Sequence, residues 1–402
     1  MIVMIRRFLV PRRLRYAWIA GGALWAAWLL SAVLGPGKLD LAGTPIGTDY
    51  LQFYAAGTTV RIGESAHLYD IPYQVKLEQE IIGPGLTSYH AFITPPFLAW
   101  LFVPFSMLDY TTSLALWSLV GLLLLWLSLV LLKVSIPSRA FVWSLTFFPV
   151  FAAISFGQNA LLTLFIFAAA CRLWRDGRVF LAGVVLSLAL YKPQLIVGVA
   201  FLWLLDFPTS WRALLGLALG GTVLVAVSFG LTPEAGIAYL EFARTTLPDL
   251  ANWQDFPIWH LHTFRGFWRL LLPWWPCLGD VLTIVLSGGA VWGFVRFARR
   301  FRAQKTLLFA AGVVLSLCLT PHAMIYDWSL LLIPAALLLQ EFPSSRERWR
   351  VEYALVWLAA FVSGPLAYAQ LRVVPVALQV SVPVLGCAVV RVYRDLMCTN
   401  TD

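Results

Sequence analysis

Several short polar stretches, set between apolar runs, carry side chains suited to taking a proton or holding an anion. Residues 47–63 read GTDYLQFYAAGTTVRIG, and Asp49 is the acid of chief interest there. Moving a group onto a hydroxyl calls for a base, and a carboxylate is a usual choice. Asp49 follows Gly47 and Thr48 at the expected start of a short helix. Tyr50, Phe53, Tyr54 and Gly57 recur at i, i+3, i+4 and i+7, which makes one apolar, aromatic face. That face is expected to lie along a bilayer surface, with Asp49 pointing into a cavity beneath and kept ionised by the helix N-terminus. The same position also suits a plain helix N-cap, and spacing alone leaves both readings open. Of the neighbouring acids, Asp40, Glu64, Asp70, Glu78 and Glu80, the last two flank Gln79 on a polar helix and are expected to be solvated. The region has no D-x-D pair to clamp a metal–nucleotide.

Anion-binding chemistry falls further along. Lys192, in Tyr191-Lys192-Pro193-Gln194, stands between two apolar runs, where an ammonium is costly and a functional role is the default hypothesis. It suits a phosphodiester at the membrane surface, and the following proline opens a helix whose amides also face an anion. Snorkelling to the interface is the alternative. In Thr320–Trp328, His322 and Tyr326 are four apart and expected on one helical face, with Asp327 close enough to fix the imidazole tautomer. A buried, satisfied His–Asp pair fits the same residues. Gln158 and Asn159, in Ser155-Phe156-Gly157-Gln158-Asn159, offer donors and acceptors for sugar hydroxyls or phosphate, or form a simple polar turn. Tyr89, His90 and Trp100 surround the helix start at Pro95-Pro96; His90 reads as a surface histidine. Residues 252–275 combine Trp253, Trp259, Trp268, Trp274 and Trp275 with Asp255, His260, His262, Arg265 and Arg269. Most of this stretch reads as an interfacial segment anchored by Trp and Arg, and its H-x-H pair is a weak metal signal.

The elements that must position these groups are helices in a bilayer. Hydrophobic residues make up 60% of the chain and charged residues 12%, about half the proportion of a soluble protein. Mean hydropathy is +0.80. The net charge of +9 lies in short clusters between apolar runs, so it reads as a topology signal and not as a nucleic-acid footprint. Five scattered cysteines give neither a disulfide framework nor a metal knuckle. No P-loop or dinucleotide-binding glycine pattern occurs in a suitable setting.

The first apolar run, 16–34, follows a basic N-terminus and lacks a cleavage site, so it is expected to be an uncleaved span. Runs at 95–108, 114–132, 141–154, 161–173, 180–190, 195–205, 213–231, 281–295, 306–319, 325–339, 353–366 and 373–392 follow. Several are shorter than the ~20 residues of a straight span and are expected to be broken helices lining a cavity. Arginine clusters at 172–178, 296–302, 346–350 and 391–394 are placed inside. The parity upstream then fails by one, which makes 95–108 re-entrant or leaves one of the next two runs short of crossing. The expectation is one all-α polytopic domain over 1–402, with about twelve crossings, one re-entrant or half-inserted segment and both termini cytoplasmic. Its first external loop, 35–94, carries short interfacial helices, and a second large external loop spans 232–275. Every unusual polar motif lands on the outer side.

The order of these blocks resembles glycosyltransferase family 87. The residues that carry the likeness are GTDYLQFYAAG with downstream HLYD, ITPPFLAWLFVPFSML, FGQNALL, AGVVLSLALYKPQ and PHAMIYD. Thr94 stands where the family pattern has tyrosine, and that position is given no role. The resemblance implies a GT-C architecture and a membrane enzyme that transfers mannose from a polyprenyl-phosphate donor to an acceptor hydroxyl outside the cytoplasm. It places the catalytic base on Asp49 and the donor-phosphate contacts on Lys192 and His322. Tyr50, Tyr54, Gln158, Asn159, Gln194, Tyr326 and Asp327 are expected as supporting residues.

Polyprenyl phosphate leaves without an acid, so a single base is the minimum for an inverting displacement. The expected partners are the lipid-linked sugar, a glycan or glycolipid acceptor and membrane lipid, with no cofactor, no metal and no nucleic acid, in the cytoplasmic membrane. The main alternative is a transporter or flippase for lipid-linked or anionic solutes, which would show inverted repeats and mid-membrane charges. A third is a partner that binds lipid-linked sugars without turnover.

Overall fold

The computed structural model describes residues 11–83, 85–86, 88–252, 256–343 and 345–399. Trp253 and Asp255 lie outside them. The described chain is all helical, with two isolated backbone bridges and no strand. In order the helices are α1 (Pro11–Leu34), α2 (Tyr50–Arg61), α3 (Ile71–Ile82), α4 (Pro96–Phe102), α5 (Tyr110–Leu131), α6 (Pro137–Leu145), α7 (Phe148–Ser155), α8 (Ala160–Arg175), α9 (Val179–Ser187), α10 (Val197–Leu205), α11 (Phe207–Leu231) and α12 (Pro233–Thr245). There follow α13 (Phe264–Leu271), α14 (Pro276–Arg300), α15 (Lys305–Leu319), α16 (Leu332–Glu341), α17 (Ser345–Arg348), α18 (Arg350–Leu371) and α19 (Ser381–Thr399).

Five of these are long and apolar enough to span a bilayer: 16–34 of α1, α5, α11, α14 and α18. A sixth span results if α6 and α7, bent by 73° at their junction, are counted together. Only 11% of the apolar window of α11 is buried within the protein, so its outer face needs a lipid solvent. The remaining apolar runs are interrupted. α9 and α10 are nine residues each, about 14 Å, and cover less than half of a ~30 Å hydrocarbon core. The expected last run at 373–392 is helical only from Ser381, and 372–380 form a loop around Pro375, whose missing N–H disfavours a helix there.

Two ends of the bundle are chemically distinct. At one, Arg175 donates to Gln340 (3.3 Å), Gln340 donates to the Leu132 carbonyl, and Lys305 donates to the Trp174 carbonyl (3.5 Å). The C-termini of α5, α8 and α16 therefore meet the start of α15. At the other end, the Tyr110 hydroxyl donates to the Ile46 (2.8 Å) and Gly47 (3.1 Å) carbonyls, and the Tyr50 amide donates to Phe156 O (2.9 Å). The 16 residues of α8 set the two ends about 24 Å apart. Residues 95–108 begin and finish at this second end. α4 is only seven residues, Tyr69 holds the Thr94 carbonyl before it, and Tyr110 is tied to Gly47 after it. The segment does not cross.

α2 corrects one expectation. Its aromatic face is buried in protein and does not lie on a bilayer: Tyr50 is 0% exposed, Phe53 2% and Tyr54 9%. Phe53 stacks on Phe102 with ring centroids 5.0 Å apart. Gly157, in the turn between α7 and α8, has φ +67°, and a Cβ there would stand 2.5 Å from Tyr50 Cβ. Gly157→Ala should therefore cost about 1–3 kcal/mol and push α2 off the bundle, read as a lower thermal midpoint in detergent.

Candidate functional site

Asp49 occupies the N-cap position of α2, yet its carboxylate bonds to none of that helix's amides. Asp70 and Asp109, by contrast, do cap α3 and α5. Asp49 instead turns to the 155–159 turn, where Gln158 Nε2 donates to Oδ2 at 2.9 Å. Oδ1 stands 4.0 Å from His90 Nδ1, and a quarter of the side chain stays accessible. Burial lifts the Asp49 carboxyl above the ordinary carboxylate range, and the nearby Asp327 charge adds to this. His90, the Gln158 amide and Lys192 pull the other way. Desolvation thus outweighs the ionising effect expected of the helix N-terminus.

His90 is not the surface residue its sequence context implied: its side chain is 16% accessible. Burial pushes its pKa down, against the pull of Asp49, so the ring is neutral near pH 7. Its placement depends on α3. Glu78 Oε2 accepts the His90 amide (3.0 Å), while Gln74, one turn earlier, accepts from the Tyr89 hydroxyl (2.8 Å) and the Phe92 amide (3.0 Å). Glu78 was expected to be solvated; it is 1% exposed because it serves this inner face. Burial raises its pKa to about 8, against the His90 amide bond. Glu78 binds its proton more tightly folded than unfolded. Stability should therefore be full below about 4.5 and decline as pH rises through about 8, whereas Glu78→Gln should be flat over that window in pH-dependent thermal melts.

A second cluster forms where two more interruptions meet, 188–196 between α9 and α10 and 320–331 between α15 and α16. Lys192 Nζ donates to Asp327 Oδ1 at 2.7 Å and lies 4.8 Å above the Tyr326 ring. Asp327 Oδ2 accepts the Met324 amide (3.1 Å). Asp327 is therefore the partner of Lys192 and does not orient His322. Nor do His322 and Tyr326 share an α-helical face, because 320–324 is irregular and a 310 turn begins only at Ile325. His322 packs on Phe256 (5.7 Å between rings), and its carbonyl accepts from Gln194 Nε2 (3.4 Å). Burial holds His322 down to about 4, opposed by Asp327 and reinforced by the charges of Lys192 and Arg265. Lys192 and Asp327 side chains are 12% and 3% accessible. Lys192→Met alone should cost about 3–5 kcal/mol by stranding a buried carboxylate, and Lys192→Met/Asp327→Asn should recover most of it in the same melts.

The two clusters face one another: the charges of Lys192 and Asp327 act on Asp49, and Asp49 acts on Tyr326. Phe156 bridges them, its ring edge-on to that of Tyr326 with centroids 6.4 Å apart. Gly198 of α10 seats that hairpin against α15, where a Cβ would stand 2.2 Å from the Gly312 carbonyl. The other expected supporting residues fall differently. Tyr50 and Tyr54 hydroxyls are engaged by Ser113 (2.5 Å) and the Leu108 carbonyl (2.7 Å). Asn159 is 0% exposed, and its side-chain atoms lack a partner among the described residues.

The second large loop is less interfacial than expected. Leu261 bridges to Met324, the His262 amide donates to the Ala323 carbonyl (2.9 Å), and His262 Nδ1 lies 2.7 Å from Ser381 Oγ. The strap closes over 320–324, bringing Arg265 into range of His322; among its described residues Trp274 and Trp275 stand well out, 65% and 61% exposed. Sequence reading missed His90, Glu78 and the reach of Arg265. The one available signal was the pairing of Gln74 and Glu78 four apart, which marks a polar inner face on α3. Among the described residues, no group of three His, Cys, Asp or Glu could hold a metal ion.

A helical bundle with lipid-facing spans, whose interrupted helices converge on acids, a lysine and imidazoles at one end, is a multi-pass membrane protein with an end-on polar site. The model of glycosyltransferase family 87 matches residues 92–321, more than half of the chain. The chain belongs to that family and is a membrane glycosyltransferase. The match begins after Asp49 and His90 and ends before Tyr326 and Asp327. No curated protein and no solved structure matches.

Proposed function

We propose that this glycosyltransferase moves a hexose, mannose, from a polyprenyl-phosphate donor to an acceptor hydroxyl on the outer side of the cytoplasmic membrane. The displacement is inverting, with Asp49 as general base. The observation that carries this reading is the contrast between the two acids. Asp327 is neutralised by Lys192, while Asp49, a quarter of whose side chain stays accessible, has no Lys or Arg bonded to it. A raised pKa brings a carboxylate base closer to neutrality, where a base is most effective.

The donor phosphate would lie between Lys192 and His322. Lys192 spends one of its N–H donors on Asp327 and has two left. The neutral His322 ring, which makes no hydrogen bond among the described residues, would donate another, and the Arg265 charge supports an anion there. Gln158 holds the base, Gln194 holds the His322 backbone, and Tyr326 backs the ammonium. The isoprenoid tail would run along the apolar spans.

The architecture supports an outward site. Arginine-rich helix ends gather at the end opposite Asp49, as expected if they are cytoplasmic. With 95–108 returning without crossing, the alternation of ends fits about twelve crossings: α1, α5, α6 with α7, α8, α9, α10, α11, α14, α15, α16 with its 310 turn, α18 and α19. That arrangement is GT-C-like, with both termini cytoplasmic.

The test is transfer by the reconstituted protein from labelled polyprenyl phosphomannose to acceptor. Asp49→Asn should lower turnover at least about a hundredfold while the protein stays folded in membranes. Wild-type turnover should fall as pH drops through the raised Asp49 pKa, an acid limb lying above the ordinary carboxylate range. Retained turnover in Asp49→Asn would remove Asp49 as base. Movement of labelled lipid across vesicles without any transfer would favour a flippase.

A further inference from the structure

The base must lose, in each cycle, the proton it gains. Gln158 holds Asp49 Oδ2, and the accessible side of the carboxylate is where donor and acceptor would sit. With both substrates in place, they would cover that side.

One route remains. His90 Nδ1 stands 4.0 Å from Asp49 Oδ1, and the opposite ring nitrogen, Nε2, lies 3.1 Å from Ser88 Oγ on the exposed surface. The ring therefore spans the wall between base and solvent. Its backbone amide is fixed from behind by the buried Glu78 carboxyl at 3.0 Å, so the span does not depend on a floppy loop side chain.

We infer that His90 relays the proton taken up by Asp49 to the solvent at Ser88. The inference rests on Asp49 being the base. The acceptor hydroxyl gives its proton to the Asp49 carboxylate as its oxygen bonds to the sugar and the lipid phosphate leaves. Once the 4.0 Å gap closes to hydrogen-bond distance in the substrate complex, the carboxylic acid passes the proton to Nδ1, forming an imidazolium, and Asp49 is a carboxylate again. The imidazolium releases its Nε2 proton through Ser88 to water. Exchange of the ring protons with water in the empty site restores the starting tautomer. The net change is one proton moved from the acceptor to water, with no oxidant or other reactant.

The charges and titratable groups around the ring fit the task. Asp49 faces Nδ1, Glu78 contacts only the backbone, and Lys192 and Asp327 reach the ring through their effect on Asp49. Burial raises the carboxyl and lowers the imidazole, which narrows the difference between their proton affinities.

The experiment is steady-state transfer by the reconstituted full chain at saturating donor and acceptor. His90→Ala should lower kcat about tenfold or more with KM for both substrates little changed, and added imidazole should restore kcat in His90→Ala but not in Asp49→Asn. A merely structural histidine would not answer to free imidazole. If His90→Ala does not survive purification, His90→Gln serves, with kcat becoming dependent on buffer concentration. Wild-type kcat in either variant, or a reduced kcat indifferent to imidazole and buffer, would overturn the relay. If Asp49→Asn is dead while the His90 variants are normal, the relay alone fails; if Asp49→Asn is active, the base assignment fails first.

Discussion

An ammonium and a carboxylate 2.7 Å apart hold the interior of this protein in register. Each would be costly alone at that depth, and they are tolerable because they are joined, with an aromatic ring beneath the ammonium and a backbone amide on the second carboxylate oxygen. The pair stands where two runs of apolar sequence stop being helix. A broken helix frees amides and carbonyls that lipid cannot satisfy, so such breaks must be buried against polar partners. Lys192 and Asp327 tie the two broken segments to one another, Asp327 also satisfies an amide of its own, and the recess beside Asp49 follows from bringing the breaks together.

A third break, Phe156–Asn159, completes the arrangement from the other side. Its backbone is held by Tyr50 and Trp117, its Gln158 side chain holds Asp49, and Gly157 allows the close approach. The site is therefore made from interruptions, each supplied by a different part of the chain. A continuous twenty-residue span through any of them would leave no room for the recess.

The class of fold was legible in composition and in the spacing of apolar runs, because lipid imposes one periodicity and one length scale. The polar groups of the site were legible for a related reason: Lys192, Asp327 and Gln158 stand out against apolar surroundings that make them expensive. What was not legible was pairing. Whether Asp327 serves His322 five residues away or Lys192 at 135 residues' distance depends on the path of the backbone through 320–324, which turned out irregular. Burial of loop residues was equally hidden. Glu78 and Glu80 look alike in sequence, yet one is sealed inside and the other is solvated, because a helix face needs a neighbour before it is an inside. The parity problem at 95–108 was visible as a contradiction, and the helix found there, α4, is only seven residues long.

Gln158 gives the Asp49 carboxylate an asymmetry that an unbound carboxylate lacks. With one of its lone-pair sites taken by an amide donor, Oδ2 has less left to offer a further donor than Oδ1. The two oxygens of one carboxylate are thereby made unlike by a single glutamine amide, 109 residues further along the chain.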